Sequence, residues 1–102
     1  MLSIAEIKRR IMPICKKYDI KRAYLFGSYA RGDASEGSDV DLRIDKGASQ
    51  KLRGLLAVSA LRLELVDVLQ KNVDLITALP DDDLHAIFRK HVLSDEVIVY
   101  DS

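Results

Sequence analysis

This chain of 102 residues has few of the features that would place it in several common classes of protein. Its one cysteine, Cys15, cannot form an internal disulfide and indicates a reducing compartment. No stretch approaches the roughly 18 uncharged residues of a membrane span, and no apolar leader follows Met1. These absences predict a cytoplasmic protein without a membrane segment.

Aromatic residues make up only 6% of the chain, and 16 basic residues balance 16 acidic ones. Zero net charge and few stacking side chains are not typical of a dedicated nucleic-acid binder. The charge is unevenly placed, since eight basic but only two acidic residues lie among the first 31. Either a solvated basic helix face or a patch that attracts a polyanion, such as a nucleoside triphosphate, explains this asymmetry.

The residues that are present predict one folded domain, 1–102, with 48% hydrophobic residues. Apolar spacing indicates a helix that begins at the cap Ser3, ends near Tyr18 and is kinked or loosened at Pro13. Strands are predicted over 23–26, 39–44 and 72–77, an edge strand over 97–100, and further helices over 49–71 and 80–92. This order predicts an α/β fold in which helices flank a small mixed β-sheet.

The helix predicted over 49–71 has two apolar stripes on opposite sides. One stripe is formed by Leu52, Leu55, Leu56, Leu63 and Val66, and the other by Val58, Leu61, Leu65, Val68 and Leu69. One stripe can cover the sheet, but a small domain has little left to bury the second. The second stripe therefore either contacts a partner or is sandwiched within the domain.

The most informative segment runs from Gly27-Ser28 to Asp39-Val40-Asp41. Alternate side chains of a strand share a face, so Asp39 and Asp41 project together, roughly 6 to 7 Å apart. Mg²⁺ is commonly held by one or two carboxylates together with substrate phosphates. Gly27 lets backbone approach a phosphate, and the turn amides with the Ser28 hydroxyl bind its oxygens. The pattern predicts a site for a triphosphate and its metal ion.

Asp74 is the candidate for a third carboxylate, because it interrupts the apolar run over 73–76. Phosphoryl transfer with two metal ions needs a ligand for the ion near the attacking oxygen. A charged residue in a short apolar strand is costly unless it is paired or bound to metal. The alternative is an exposed position on a half-buried edge strand.

Other candidates have structural interpretations. The acidic run over 81–83 complements the dipole of the last predicted helix. His85 and His91 lie on different faces of that helix, so zinc is not predicted. Cys15 is predicted to pack in the core rather than to act as a reactive thiol.

The segments GSYARG (27–32) and SDVDL (38–42), with VDL at 73–75, resemble a known family signature. It is that of the DNA polymerase β-type nucleotidyltransferase superfamily, in its shortest branch, the minimal nucleotidyltransferase (MNT) proteins. The resemblance covers essentially the whole chain and implies the polymerase beta-like nucleotidyltransferase fold.

The resemblance also implies roles by position. Gly27 and Ser28 would hold the triphosphate of ATP. Asp39 and Asp41 would bind two Mg²⁺ ions, and Asp74 would bind the second ion and help to activate an acceptor hydroxyl. Arg31 would contact the phosphates, or alternatively form a salt bridge to Asp33 or Glu36.

Members of this branch are antitoxins encoded beside HEPN-domain ribonuclease toxins, in type VII toxin–antitoxin systems. The resemblance implies transfer of AMP from ATP to a tyrosine of the toxin, with release of pyrophosphate. It implies a hetero-oligomer with the toxin encoded by the adjacent gene, without direct binding of nucleic acid or membrane. The chain is too short to hold a small acceptor as well, which favours a partner that brings its own hydroxyl. The alternatives are an antitoxin that acts by binding alone, with a vestigial site, and a small-molecule nucleotidyltransferase of the antibiotic-inactivating type.

Overall fold

A computed structural model describes residues 2–77 and 96–102. Within these residues no helix is long and apolar enough to span a bilayer. The helix predicted over 80–92, with its acidic run 81–83, His85 and His91, lies outside the described residues. The elements are α1 (Ile4–Lys17), β1 (Arg22–Phe26), α2 (Gly27–Arg31), β2 (Val40–Asp45), α3 (Gly54–Leu69), β3 (Val73–Thr77) and β4 (Val97–Asp101).

The four strands form one mixed sheet in the order β3-β2-β1-β4. β1 pairs antiparallel with β2 and with β4, whereas β2 and β3 are parallel. The parallel pair needs a long crossover, and α3 supplies it by returning the chain from the end of β2 to the start of β3. The predicted mixed sheet flanked by helices is confirmed, and β4 is at an edge as predicted.

Helix α1 begins where the sequence predicts. The Ser3 hydroxyl oxygen accepts a hydrogen bond from the Glu6 amide at 3.1 Å, and Tyr18 caps the other end. The helix continues through Pro13 as one element, so the predicted interruption does not occur. Pro13 is exposed, and the carbonyl that loses its helical partner there can hydrogen-bond to water instead.

The core lies between the helices and one face of the sheet. Alternate residues of β2 are buried, and α1 packs against α3 over them. The residues between them point to the opposite face, which α1 and α3 do not cover. The largest fully buried side chains of this core are Ile7, Ile11, Ile20, Leu25, Val40, Leu42, Ile44, Leu52, Leu61, Leu65, Leu69 and Val73.

Helix α3 begins at Gly54, five residues later than predicted. The preceding residues are held against α1, because the Ser49 hydroxyl donates to the Tyr18 carbonyl at 2.6 Å. Gly54 has φ 81°, which is incompatible with a helix continuing from 49. Leu52 is therefore buried from this turn, and its predicted place on a helical stripe is wrong.

The two apolar stripes of α3 have different environments. Leu61, Leu65 and Leu69 of one stripe are buried in the core. In the other stripe three leucines remain exposed, Leu55 at 85%, Leu56 at 89% and Leu63 at 63%. Within the described residues this stripe is not sandwiched.

Candidate active site

Two carboxylates lie side by side on neighbouring strands. Asp41 of β2 pairs in register with Asp74 of the parallel strand β3. Paired residues on adjacent strands are about 4.8 Å apart and project from the same face. Because Asp41 alternates with buried Val40 and Leu42, that face is the one opposite α1 and α3.

Asp39 brings a third negative charge to the pair. The pKa of the Asp41 carboxyl is raised above its ordinary value of 3.8 by burial, and further by the charges of Asp74 and Asp39. The positive charge of Arg31 opposes this rise in pKa. These four side chains are therefore electrostatically coupled. Asp39 and Asp74 are exposed while Asp41 is half-buried, so the cluster opens to solvent.

Gly27 lies directly against the Asp41 carboxylate. Phe26, the residue before it, pairs with Asp41 across β1 and β2. Gly27 has φ 73°, and a Cβ at this position would collide with Oδ2 of Asp41 and lie 3.1 Å from its Cγ. Both the backbone conformation and the space available therefore require glycine here.

The short helix α2 places Ser28 and Arg31 beside Gly27. The Ser28 carbonyl accepts hydrogen bonds from the amides of Gly32 and Asp33, both at 3.0 Å, which closes the helix. The Arg31 Nε lies 3.3 Å from Oδ2 of Asp33. Arg31 thus forms the ion pair of the alternative interpretation, and its charge also acts on Asp41.

A buried ion pair adjoins the carboxylates and was missed by the sequence interpretation. Arg43 is two residues after Asp41 on the same face, and it donates to both carboxylate oxygens of Glu96, at 2.9 and 2.8 Å. Its guanidinium is 4.0 Å from the centre of the Tyr24 ring. The Arg43 and Glu96 side chains are only 15% and 7% exposed. The strand alternation places Arg43 on this face, but no local pattern indicates Glu96.

Two hydrogen bonds between distant residues fix the backbone next to Asp74. The Arg62 Nε of α3 donates to the Val73 carbonyl at 2.9 Å. The Val40 amide donates to the Asn72 carbonyl, also at 2.9 Å. These bonds hold the starts of β2 and β3 together and thereby support the pairing of Asp41 with Asp74. Sequence patterns do not reveal such bonds to backbone carbonyls.

The carboxylates fit a cation that is also bound by substrate. Among residues 2–77 and 96–102, no group of three or more His, Cys, Asp or Glu side chains is arranged to hold a metal ion. Mg²⁺ at phosphate-binding sites needs only one or two carboxylates, because phosphate oxygens and water complete its shell. The oxygen donors and the mutual repulsion that raises the Asp41 pKa suit such an ion.

A glycine turn against a carboxylate pair on adjacent strands is suited to transfer of phosphate-containing groups. A family model described as polymerase beta, nucleotidyltransferase matches residues 9–102. The chain belongs to this family of nucleotidyltransferases, and its mixed sheet with flanking helices is the family fold.

Two relatives from Methanocaldococcus jannaschii match nearly the whole chain, and both are named as inferred protein adenylyltransferases. One is 39% identical over 98 residues, which cover 96% of this chain and 99% of the relative. The other is 32% identical over 102 residues, which cover 96% of this chain and 98% of the relative.

Solved structures share the fold. An inferred minimal nucleotidyltransferase superimposes with a TM-score of 0.68 at 25% identity, covering 94% of this chain and 95% of its own. A toxin–antitoxin structure with AMP-PNP gives 0.73 at 21% identity, covering 93% and 73%. A complex of a tri-AMPylated Shewanella oneidensis HEPN toxin with an MNT antitoxin gives 0.67 at 18% identity, covering 97% and 73%.

Proposed function

We propose that this chain is the antitoxin of a type VII toxin–antitoxin pair and a Mg²⁺-dependent protein adenylyltransferase. It transfers AMP from ATP to a tyrosine of a HEPN-domain ribonuclease toxin encoded by the adjacent gene. The observation that carries the proposal is the in-register pair of Asp41 and Asp74, with Gly27 against the Asp41 carboxylate. The names of the relatives and the AMPylated toxin complex among the structural neighbours support it.

The proposed roles follow the positions of the side chains. The amides at the start of α2 and the Ser28 hydroxyl bind oxygens of the triphosphate, and Arg31 adds positive charge on the same side. Asp39 and Asp41 hold two Mg²⁺ ions, and Asp74 completes the ligands of the second. When bound, these ions neutralise charge on the attacking and leaving oxygens.

The transfer forms one bond and breaks another at the α-phosphorus of ATP. The tyrosine oxygen loses its proton as it attacks this phosphorus, and the bond to the pyrophosphate oxygen breaks. Asp74, exposed on the edge strand β3, accepts the hydroxyl hydrogen bond and orients the acceptor. An acceptor on a protein surface reaches this open face without entering a deep pocket.

The test is incubation of the purified chain with Mg²⁺, ATP labelled on the α-phosphate, and the product of the adjacent gene. We expect label on a tyrosine of that product, located by mass spectrometry. Asp41→Asn should reduce labelling at least about 100-fold, because the metal ions supply several kcal/mol of transition-state stabilisation.

Asp45→Asn is the matched control. Asp45 lies on the same strand and face as Asp41 but at the far end of β2, where its Oδ1 accepts the Gly47 amide. An asparagine oxygen can keep that bond, so labelling should remain unchanged. If the toxin is inhibited without being labelled, and Asp41→Asn still inhibits it, neutralisation is by binding alone and the proposal is wrong.

A further inference from the structure

The outer side of α3 exposes a short apolar stripe, defined here as Leu56, Ser59, Ala60 and Leu63. These positions are three, four and seven residues apart and therefore share one side of the helix. Leu56 is 89% and Leu63 63% exposed, and the two small residues lie between them. Leucines so fully exposed in a row mark an interaction surface rather than ordinary surface variation.

The stripe faces away from the candidate active site. α3 contributes buried Leu61 and Leu65 to the core on one face of the sheet, whereas Asp41 and Asp74 project from the other face. A protein that presents a hydroxyl to Asp41 must approach that open face. The stripe is therefore available for a contact other than acceptor delivery.

We propose that the stripe binds the same stripe of a second copy of this chain. The two α3 helices would run antiparallel about a two-fold axis between Ser59 and Ala60. In this arrangement Leu56 faces the second copy's Leu63, and the small residues at the axis allow the helices to approach closely.

Charge complementarity favours a second copy as the occupant. Arg53 and Asp67 flank the two ends of the stripe and are both exposed. Neither forms an ion pair with any residue in the described part of the chain. The axis that pairs Leu56 with Leu63 brings Arg53 beside the second copy's Asp67, and the symmetry repeats this pair. An unrelated partner would have to match both ends independently.

The experiment is sedimentation velocity of the purified chain without its toxin, from about 10 μM to 1 mM. The mass should rise from 11.5 kDa towards twice that value, with a dissociation constant on the order of 100 μM because one helix pair is a small interface. Leu56→Ser with Leu63→Ser should abolish the dimer. Met12→Ser removes an exposed apolar side chain of α1, 43% exposed, and should leave the dimer unchanged.

Charge reversal separates the proposed geometry from general stickiness. Arg53→Glu alone and Asp67→Arg alone should each weaken the dimer about tenfold, and the double variant should restore it. All these sites are exposed, and circular dichroism confirms that each variant is folded. A chain that stays monomeric over the whole range, or a dimer that ignores both single reversals, overturns the proposal. Protection of Leu56 and Leu63 only by an added toxin overturns it as well. AMP transfer is a separate readout, since no variant touches Asp41 or Asp74.

Discussion

The Asp41 carboxylate occupies the space that a side chain on Gly27 would need. The residue that ends β1 and opens α2 is thus in contact with the central carboxylate of the candidate site. This contact gives a physical reason why a glycine must precede Ser28, beyond the turn that it makes.

Gly27→Ala should abolish AMP transfer, because its methyl group displaces the Asp41 carboxylate. It should also lower the free energy of unfolding by about 1 to 2 kcal/mol, since φ is 73°. Gly32→Ala is the matched control, because Gly32 has φ 84° but nothing within 4 Å of its Cβ position in the described part of the chain. Urea unfolding should show similar losses for both, and the labelling assay a loss only for Gly27→Ala. Equal activities would show that the contact has no role.

Removing one charge of the carboxylate pair should stabilise the protein without its metal ions. Asp74→Asn relieves repulsion with Asp41, and we expect a gain of about 0.5 kcal/mol, or roughly 2 to 4 °C in Tm. The measurement is thermal unfolding in a chelator. Addition of Mg²⁺ with ATP should then stabilise the wild type more than the variant, at the expense of the variant's activity. A lower Tm for Asp74→Asn in chelator would contradict the coupling.

The raised pKa of Asp41 predicts a pH dependence of stability. The folded state binds the Asp41 proton more readily than the unfolded chain, whose carboxyl keeps the ordinary pKa of 3.8. The free energy of unfolding therefore gains a favourable contribution as the pH falls through the raised pKa towards 3.8, and the penalty is fully present above it. Asp41→Asn should remove this contribution. Urea midpoints of the two proteins, compared across pH in chelator, should converge as the pH falls.

The Arg43–Glu96 ion pair should contribute strongly to stability. With both side chains largely buried, Arg43→Met leaves an unpaired carboxylate and should cost about 3 kcal/mol in urea unfolding. The control is Arg22→Met, which breaks the pair with Asp101. That pair joins β1 and β4 at 3.3 Å with side chains 41% and 53% exposed, and its loss should cost less than about 1 kcal/mol. Similar costs for the two variants would contradict a special role for burial.

Cys15 should resist thiol reagents in the folded protein. The side chain is fully buried, and burial raises its pKa to about 12, so the reactive thiolate is scarce at neutral pH. A chromogenic disulfide should label it slowly in buffer and stoichiometrically in urea. Rapid labelling of the folded chain would show that α1 opens readily.

Several elements were predictable because their signals are local. Ser3 three residues before Glu6 indicates the start of α1, and alternation over 39–44 predicts a strand with Asp41 and Arg43 on one face. The start of α3 was not predictable from periodicity, because Leu52 keeps the helical spacing while it is buried from a turn.

The sequence alone determined the chemistry that is available: a glycine and serine at a strand end, an Asp-x-Asp alternation, and one further aspartate in an apolar run. Only the tertiary structure decided that Asp74 lies in register with Asp41, because the α3 crossover sets which strand is the neighbour and at what offset. It also decided that Arg43 meets Glu96 and that Leu56 stays exposed while Leu61 does not. Such contacts depend on how distant segments pack together, and local patterns do not contain that information.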